Sequence, residues 1–118
     1  FLLRLEGLET TSNQQSVEEI VQAIPKGLIL IFAGVIEPIF EEGIFRVGIQ
    51  AFFKPASKIG ILVSSILFAL VHTPTDIGSF VIYWGMGLAL SWVYLRTGRF
   101  EAAVLTHFIW NVIGILML

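Results

Sequence analysis

The chain has 118 residues, enough for one domain at most. Its residues are 56% hydrophobic and 14% charged, where a soluble domain carries about 25% charged residues, so the composition is that of a membrane protein. A net charge of −2 leaves no basic face for a nucleic-acid partner, and the lack of cysteine excludes a disulfide framework, a thiolate nucleophile and a thiolate metal site.

Residues 1–25 read as a polar linker and a short amphipathic helix. Glu9–Ser16 (ETTSNQQS) is polar, Ser16 followed by Glu19 has the spacing of a capping box, and the helix should stop near Pro25. No signal-peptide pattern is visible at Phe1, and the chain reads as part of a longer protein with further spans upstream.

Residues 26–118 read as the membrane core. Gly27–Phe53 is apolar apart from Glu37, Glu41, Glu42, Arg46 and Gln50. Ile59–Val71 is a second apolar run, extended by His72 and stopped by Thr73 and Pro74. No charge falls between Asp76 and Arg96, and Ala102–Leu118 is a fourth run. A span takes about 20 residues, so the expected fold is an all-α, polytopic transmembrane bundle of four helices. Alternating spans put Lys54, Lys58, Arg96 and Arg99 on one side, which the positive-inside tendency makes cytoplasmic. Trp92 and Tyr94, just before Arg96, suit an interface. Gly85 and Ala89, four apart, suit a close helix contact.

The first span carries charges that a lipid-facing helix would not tolerate. An ionised group near a helix centre costs roughly 2.5–3.5 kcal/mol, against about 0.3–0.6 kcal/mol gained per large apolar residue. Glu37, Glu41, Glu42 and Arg46 must therefore face protein or a water-filled cavity. Glu42 and Arg46, four apart, can pair on one face. Glu37 and Glu41 share an adjoining face, where two close carboxylates tend to hold a proton between them. His72 ends the second span, one turn after Phe68, and His107 and Asn111 lie one turn apart in the fourth. Counting from the flanking basic residues at about 1.5 Å per residue, Glu41 lies roughly 20 Å deep, His72 roughly 21 Å, His107 roughly 12 Å and Asn111 roughly 18 Å. All four fall in the middle band of a core about 30 Å thick.

Ser64, Ser65, Ser79 and Ser91 look like ordinary small residues of membrane helices, so no serine–histidine nucleophile is evident. A carboxylate and a histidine holding one water suit direct hydrolysis, with a second histidine and an amide as oxyanion donors. The same glutamate and two histidines also suit zinc. A non-catalytic membrane protein, such as an immunity or secretion partner, is the reading from another class.

Three motifs now stand in series. Pro38-Ile-Phe-Glu41-Glu42-Gly-Ile-Phe-Arg46 resembles the EExxxR motif of the CPBP (Abi) family of CAAX proteases and bacteriocin-processing proteins. Phe68-Ala-Leu-Val-His72 resembles its FxxxH motif and His107-Phe-Ile-Trp-Asn111 its HxxxN motif, and Gly85–Gly98 is similar to the segment that precedes the third. The resemblance covers about Gly27–Leu118. It departs at Val47, where the family usually has glycine after the arginine, and at Gly43, where an aliphatic residue is commoner.

The resemblance implies an intramembrane, glutamate-dependent endopeptidase without a cofactor, seated in a bacterial inner membrane. Glu41 would be the general base, His72 its partner on the water, and His107 with Asn111 the oxyanion hole. Glu42, Arg46 and Phe68 would be supporting residues. The implied partners are a peptide or protein substrate, prenylated or not, and the lipid bilayer.

Overall fold

A computed structural model of the protein describes residues 2–7 and 9–117. Every regular element is helical, and no strand occurs among the described residues. Helix α1 (Leu2–Leu5) is a single turn, and α2 spans Ser12–Ala23. The cap of α2 is Thr11, five residues upstream of the cap expected at Ser16 from its spacing to Glu19. Thr11 is extended (φ −76°, ψ 154°) and its hydroxyl accepts the Gln14 amide at 3.1 Å. Ser16 lies inside the helix instead, its hydroxyl donating to the Ser12 carbonyl at 3.2 Å. The helix stops at Ile24, which Pro25 holds out of the helical region.

A long helical rod follows. Its parts are α3 (Lys26–Ile31), a π segment (Phe32–Ile36), α4 (Glu37–Glu42) and a second π segment (Gly43–Ile49). The backbone stays right-handed helical through each junction, so the rod is continuous. Pro38 accounts for the first π segment. A proline ring inside a helix clashes with the carbonyl four residues back and offers no N–H. The turn before it widens accordingly, and the Glu37 amide bonds to the Phe32 carbonyl, five residues back.

Helix α5 (Lys58–Val71) starts at Ser57, and α6 (Ile77–Thr97) starts at Asp76, whose carboxylate accepts the Ser79 amide and hydroxyl at 2.6 Å each. Gly98 closes α6 in the left-handed region (φ 65°), its amide on the Tyr94 carbonyl at 2.8 Å, and α7 (Phe100–Leu116) follows at once. Helix α6 packs against α5 and α7, and α7 also lies against α4 and the first π segment. Helices α5 and α6 come close at Gly87, where a Cβ would stand 3.1 Å from the Ser65 Cα and carbonyl oxygen. Gly85 and Ala89 do not make this contact: both are exposed, and Gly85 meets nothing.

Polar residues fill the interior and apolar residues cover the outside. Glu42, Arg46, Ser64, Ser65, Ser79 and Ser91 are fully buried, beside a small cluster of Phe45, Phe68, Met86 and Leu90. The serines expected to be unremarkable thus lie at helix contacts. Ser64 donates to the Phe45 carbonyl at 2.6 Å, and Ser91 accepts the Gln50 amide at 3.1 Å. Phe32, Phe40, Trp92, Leu105, Trp110 and Ile113 are all more than half exposed. Among the described helices, α6 (21 residues) is the one long and apolar enough to cross a membrane unaided; α5 and α7 are shorter apolar helices of 14 and 17 residues.

Candidate active site

Glu41 and Glu42 are consecutive on α4 and so point about 100° apart. Glu42 turns inward and is fully buried, while Glu41 keeps 17% of its side chain exposed toward a cavity of about 280 Å³. Behind the cavity, Arg46 Nε lies 3.0 Å from Glu42 Oε2, the ion pair expected from the spacing of four. The guanidinium carbon also stands 4.7 Å over the Phe68 ring centroid, a cation–π contact in a dry setting. Phe68 thereby touches Arg46, His72 and His107 at once.

His107 is 1% exposed and lies between the two carboxylates. Its Nδ1–H donates to Glu42 Oε1 at 2.9 Å, and its Nε2 is 3.6 Å from Glu41 Oε2. Glu42 is thus held by Arg46 on one oxygen and His107 on the other. This arrangement fixes the His107 ring and directs Nε2 toward Glu41.

His72 enters from the end of α5. Its Nδ1–H donates to the Phe68 carbonyl at 2.8 Å, so the neutral ring presents the lone pair of Nε2. Phe68 packs on one side with ring centroids 4.6 Å apart, and Tyr83 of α6 stacks on the ring at 4.3 Å and 18°. The next residue, Thr73, has φ 48°, a strained conformation for a side chain branched at Cβ.

Asn111 meets the rod rather than a neighbouring side chain: its Nδ2 donates to the Ala33 carbonyl at 2.7 Å. The reason lies in the π segment. In a regular helix Ala33 would accept from the Glu37 amide, which here bonds to Phe32, and the next residue is Pro38, with no N–H. Asn111 supplies the missing donor, and its second Nδ2 hydrogen remains available.

Glu37, Glu41, His72, His107 and Asn111 all line the same cavity. The structure thus brings together every residue singled out as catalytic from the sequence, with Glu42, Arg46 and Phe68 packed behind. Two residues of this cavity were missed. Tyr83 and Thr11 also line it and are hydrogen-bonded to each other at 2.8 Å. A tyrosine in mid-span needs a partner for its hydroxyl, and that was the available signal. Among the described residues, no three His, Asp, Glu or Cys side chains form a group that could hold a metal ion.

Comparison with known proteins places this chain in a family. Residues 23–113 match the sequence profile described as Type II CAAX prenyl endopeptidase Rce1-like, and the chain belongs to that family of membrane proteins. It is 35% identical over 111 residues to the UPF0177 protein YvdC of Lactococcus lactis, covering 92% of this chain and 41% of that protein. It is 30% identical over 113 residues to the membrane-embedded CAAX protease MroQ of Staphylococcus aureus, covering 89% of this chain and 44% of that protein. The chain therefore spans less than half the length of these relatives. No solved structure matches it.

Proposed function

We propose that the chain is the core of an intramembrane endopeptidase that hydrolyses a peptide bond with a water held between Glu41 and His72. The observation that carries this reading is the convergence of Glu41, His72 and His107, from three different helices, on one cavity backed by the buried Glu42–Arg46 pair. The family, and a relative whose name is that of a membrane-embedded CAAX protease, support it.

In this mechanism the His72 Nε2 lone pair accepts a hydrogen bond from the water and orients it, while Glu41 takes its proton. The oxygen attacks the substrate carbonyl. The resulting oxyanion is met by the second Nδ2 hydrogen of Asn111 and by His107 in its doubly protonated form, with Nδ1–H on Glu42 and Nε2–H on the oxyanion. Glu41 then returns the proton to the leaving amine. Glu42 and Arg46 hold His107 in place and touch no reacting atom. No step needs a metal. Both histidines give Nδ1–H to an oxygen and keep Nε2 toward the cavity, an arrangement that zinc ligation would use equally, so the chelator decides between the two readings.

The lipid setting follows from the outward apolar surface. The proposed core is a four-span bundle in a bacterial inner membrane, made of the rod, α5, α6 and α7. The rod, about 36 Å long over Lys26–Ile49 at 1.5 Å per residue, is long enough to cross despite its π segments. The Lys54, Lys58, Arg96 and Arg99 loops are placed in the cytoplasm. The substrate is a peptide or protein reached within the membrane, and prenylation is left to the assay.

The test is cleavage of a peptide panel, with and without prenyl groups, by the full-length protein in liposomes. Wild type should cleave, and Glu41→Gln should lose about 10²–10⁴-fold in kcat, the usual share of a general base. Glu37→Gln should remain active, because Glu37 faces the cavity without contacting His107 or His72. Activity should survive a zinc chelator. Equal losses at Glu37 and Glu41 would remove the assignment of the base, and inhibition by the chelator would replace it with a metal. Cleavage by neither wild type nor mutant would favour the scaffold reading.

A further inference from the structure

Tyr83 is the strongest feature of the site that its proposed chemistry does not use. It lies in mid-α6, 8% exposed, with its ring stacked on His72 and its hydroxyl bonded to Thr11. Thr11 is itself 6% exposed and caps α2, so its oxygen already accepts the Gln14 amide while its hydroxyl hydrogen and remaining lone pair face Tyr83. One residue on, the Ser12 hydroxyl donates at 3.3 Å to the carbonyl of the strained Thr73, next to His72. The Glu6 carboxylate accepts the Ile77 and Gly78 amides at 3.2 and 2.9 Å, and so fastens the same segment to the start of α6. Three separate contacts thus tie the N-terminal segment to the surroundings of His72.

The ring itself has few other constraints. His72 terminates α5, so no following helical turn supports it. Its hydrogen bond to the Phe68 carbonyl fixes one nitrogen but leaves the ring free to swing about that contact. Phe68 is tilted at 45° and touches one face obliquely. A near-parallel ring at 4.3 Å is what removes the remaining freedom. A phenylalanine would stack equally well, so the hydroxyl has another use: it joins the ring to Thr11.

We propose that Tyr83 is a positioning residue that holds the His72 imidazole toward the water by stacking, and that Thr11 locks Tyr83 in that place through its hydroxyl. This rests on the reading of His72 as the water-orienting group. It places the segment around Thr11 within the working site.

The experiment compares Tyr83→Leu, Tyr83→Phe and Thr11→Val in the full-length protein, reconstituted and labelled at its histidine rings. Signals that vanish in His72→Gln identify His72. A stacked tyrosine displaces the His72 Cε1–H resonance upfield. That displacement should persist in Tyr83→Phe and disappear in Tyr83→Leu. In the peptide assay Tyr83→Leu should lower kcat about 10- to 100-fold, the scale of a misplaced catalytic group, with KM unchanged. Tyr83→Phe should restore most of it. The double variant Thr11→Val/Tyr83→Phe should be no worse than Thr11→Val alone, because both changes remove the same Tyr83–Thr11 hydrogen bond and only Thr11→Val also removes the cap on the Gln14 amide. An unmoved resonance in Tyr83→Leu, or a kcat equal to wild type, overturns the positioning role. Additive losses in the double variant overturn the lock. If the wild type cleaves no peptide, the protease reading fails on its own account, while the resonance still decides whether Tyr83 holds His72.

Discussion

Glu42 and Glu41 are neighbours in sequence with opposite duties. Glu42 is fully buried between Arg46 and His107, so its charge is compensated within the protein. Removing one partner of such a pair leaves the other charge stranded, at a cost of about 3–5 kcal/mol, whereas replacing both by apolar groups is often neutral. Glu42→Gln should therefore lower the melting temperature in detergent markedly, and Glu42→Leu with Arg46→Met should recover most of it while staying inactive, because leucine offers the His107 Nδ1–H no acceptor. Glu41→Gln, at the cavity edge, should melt like wild type. A Glu42→Gln protein as stable as Glu41→Gln would mean that the pair is not the support described here. These pairings were readable in advance because residues four apart on a helix must meet. The Nδ1 bond of His107 to Glu42 was not readable, since no spacing within one helix fixes the rotation of another.

At the scale of elements, the motifs placed the polar residues on the right helices but not the irregularities between them. Pro38 was visible, yet its consequence needed coordinates: a π segment, an orphaned Ala33 carbonyl and Asn111 as its donor. The contact of α5 with α6 was looked for at Gly85 and Ala89, because small residues four apart fit either face of a helix. The face that turns inward carries Gly87 against Ser65. Gly87→Ala should cost about 1–3 kcal/mol, since backbone atoms of α5 must move, and Gly85→Ala should be silent in the same unfolding titration. Equal effects would reverse the assignment of faces. The start of α6 responds to acid. The hydroxyl and the amide of Ser79 hold the Asp76 carboxyl below its ordinary value, with smaller help from hydrogen bonds to Glu6 and Thr75. Because the folded pKa is depressed, this support is complete above the unfolded value of about 3.9 and is lost as pH falls through the folded one. An acid melt should show that loss in wild type and not in Asp76→Asn, which caps without a charge; identical acid curves would assign the loss to other groups.

For the whole molecule, the informative feature is the reversal of inside and outside. A fully buried ion pair and four fully buried serines lie under a surface that exposes Phe32, Phe40, Trp92, Leu105 and Trp110. Composition alone announced a membrane protein, but the number of crossings is harder to read, because α5 and α7 are shorter than a hydrocarbon core and the rod is interrupted by π segments. Four crossings follow if each of these helices traverses the bilayer, and the loops then have fixed sides. The loop at Lys54 and the turn at Arg99 each follow an odd number of further crossings from the loop at Thr75, so both must face away from it. These 118 residues hold no cysteine, so each replacement introduces the one thiol within them. Lys54→Cys and Arg99→Cys should resist a membrane-impermeant maleimide in spheroplasts and react in inverted vesicles, because the positive loops belong in the cytoplasm. Thr75→Cys should show the reverse. Reaction of Lys54→Cys and Arg99→Cys from opposite faces would mean that α5 or α6 fails to cross. A uniform inversion of all three would preserve the bundle and turn the loop at Thr75 toward the cytoplasm.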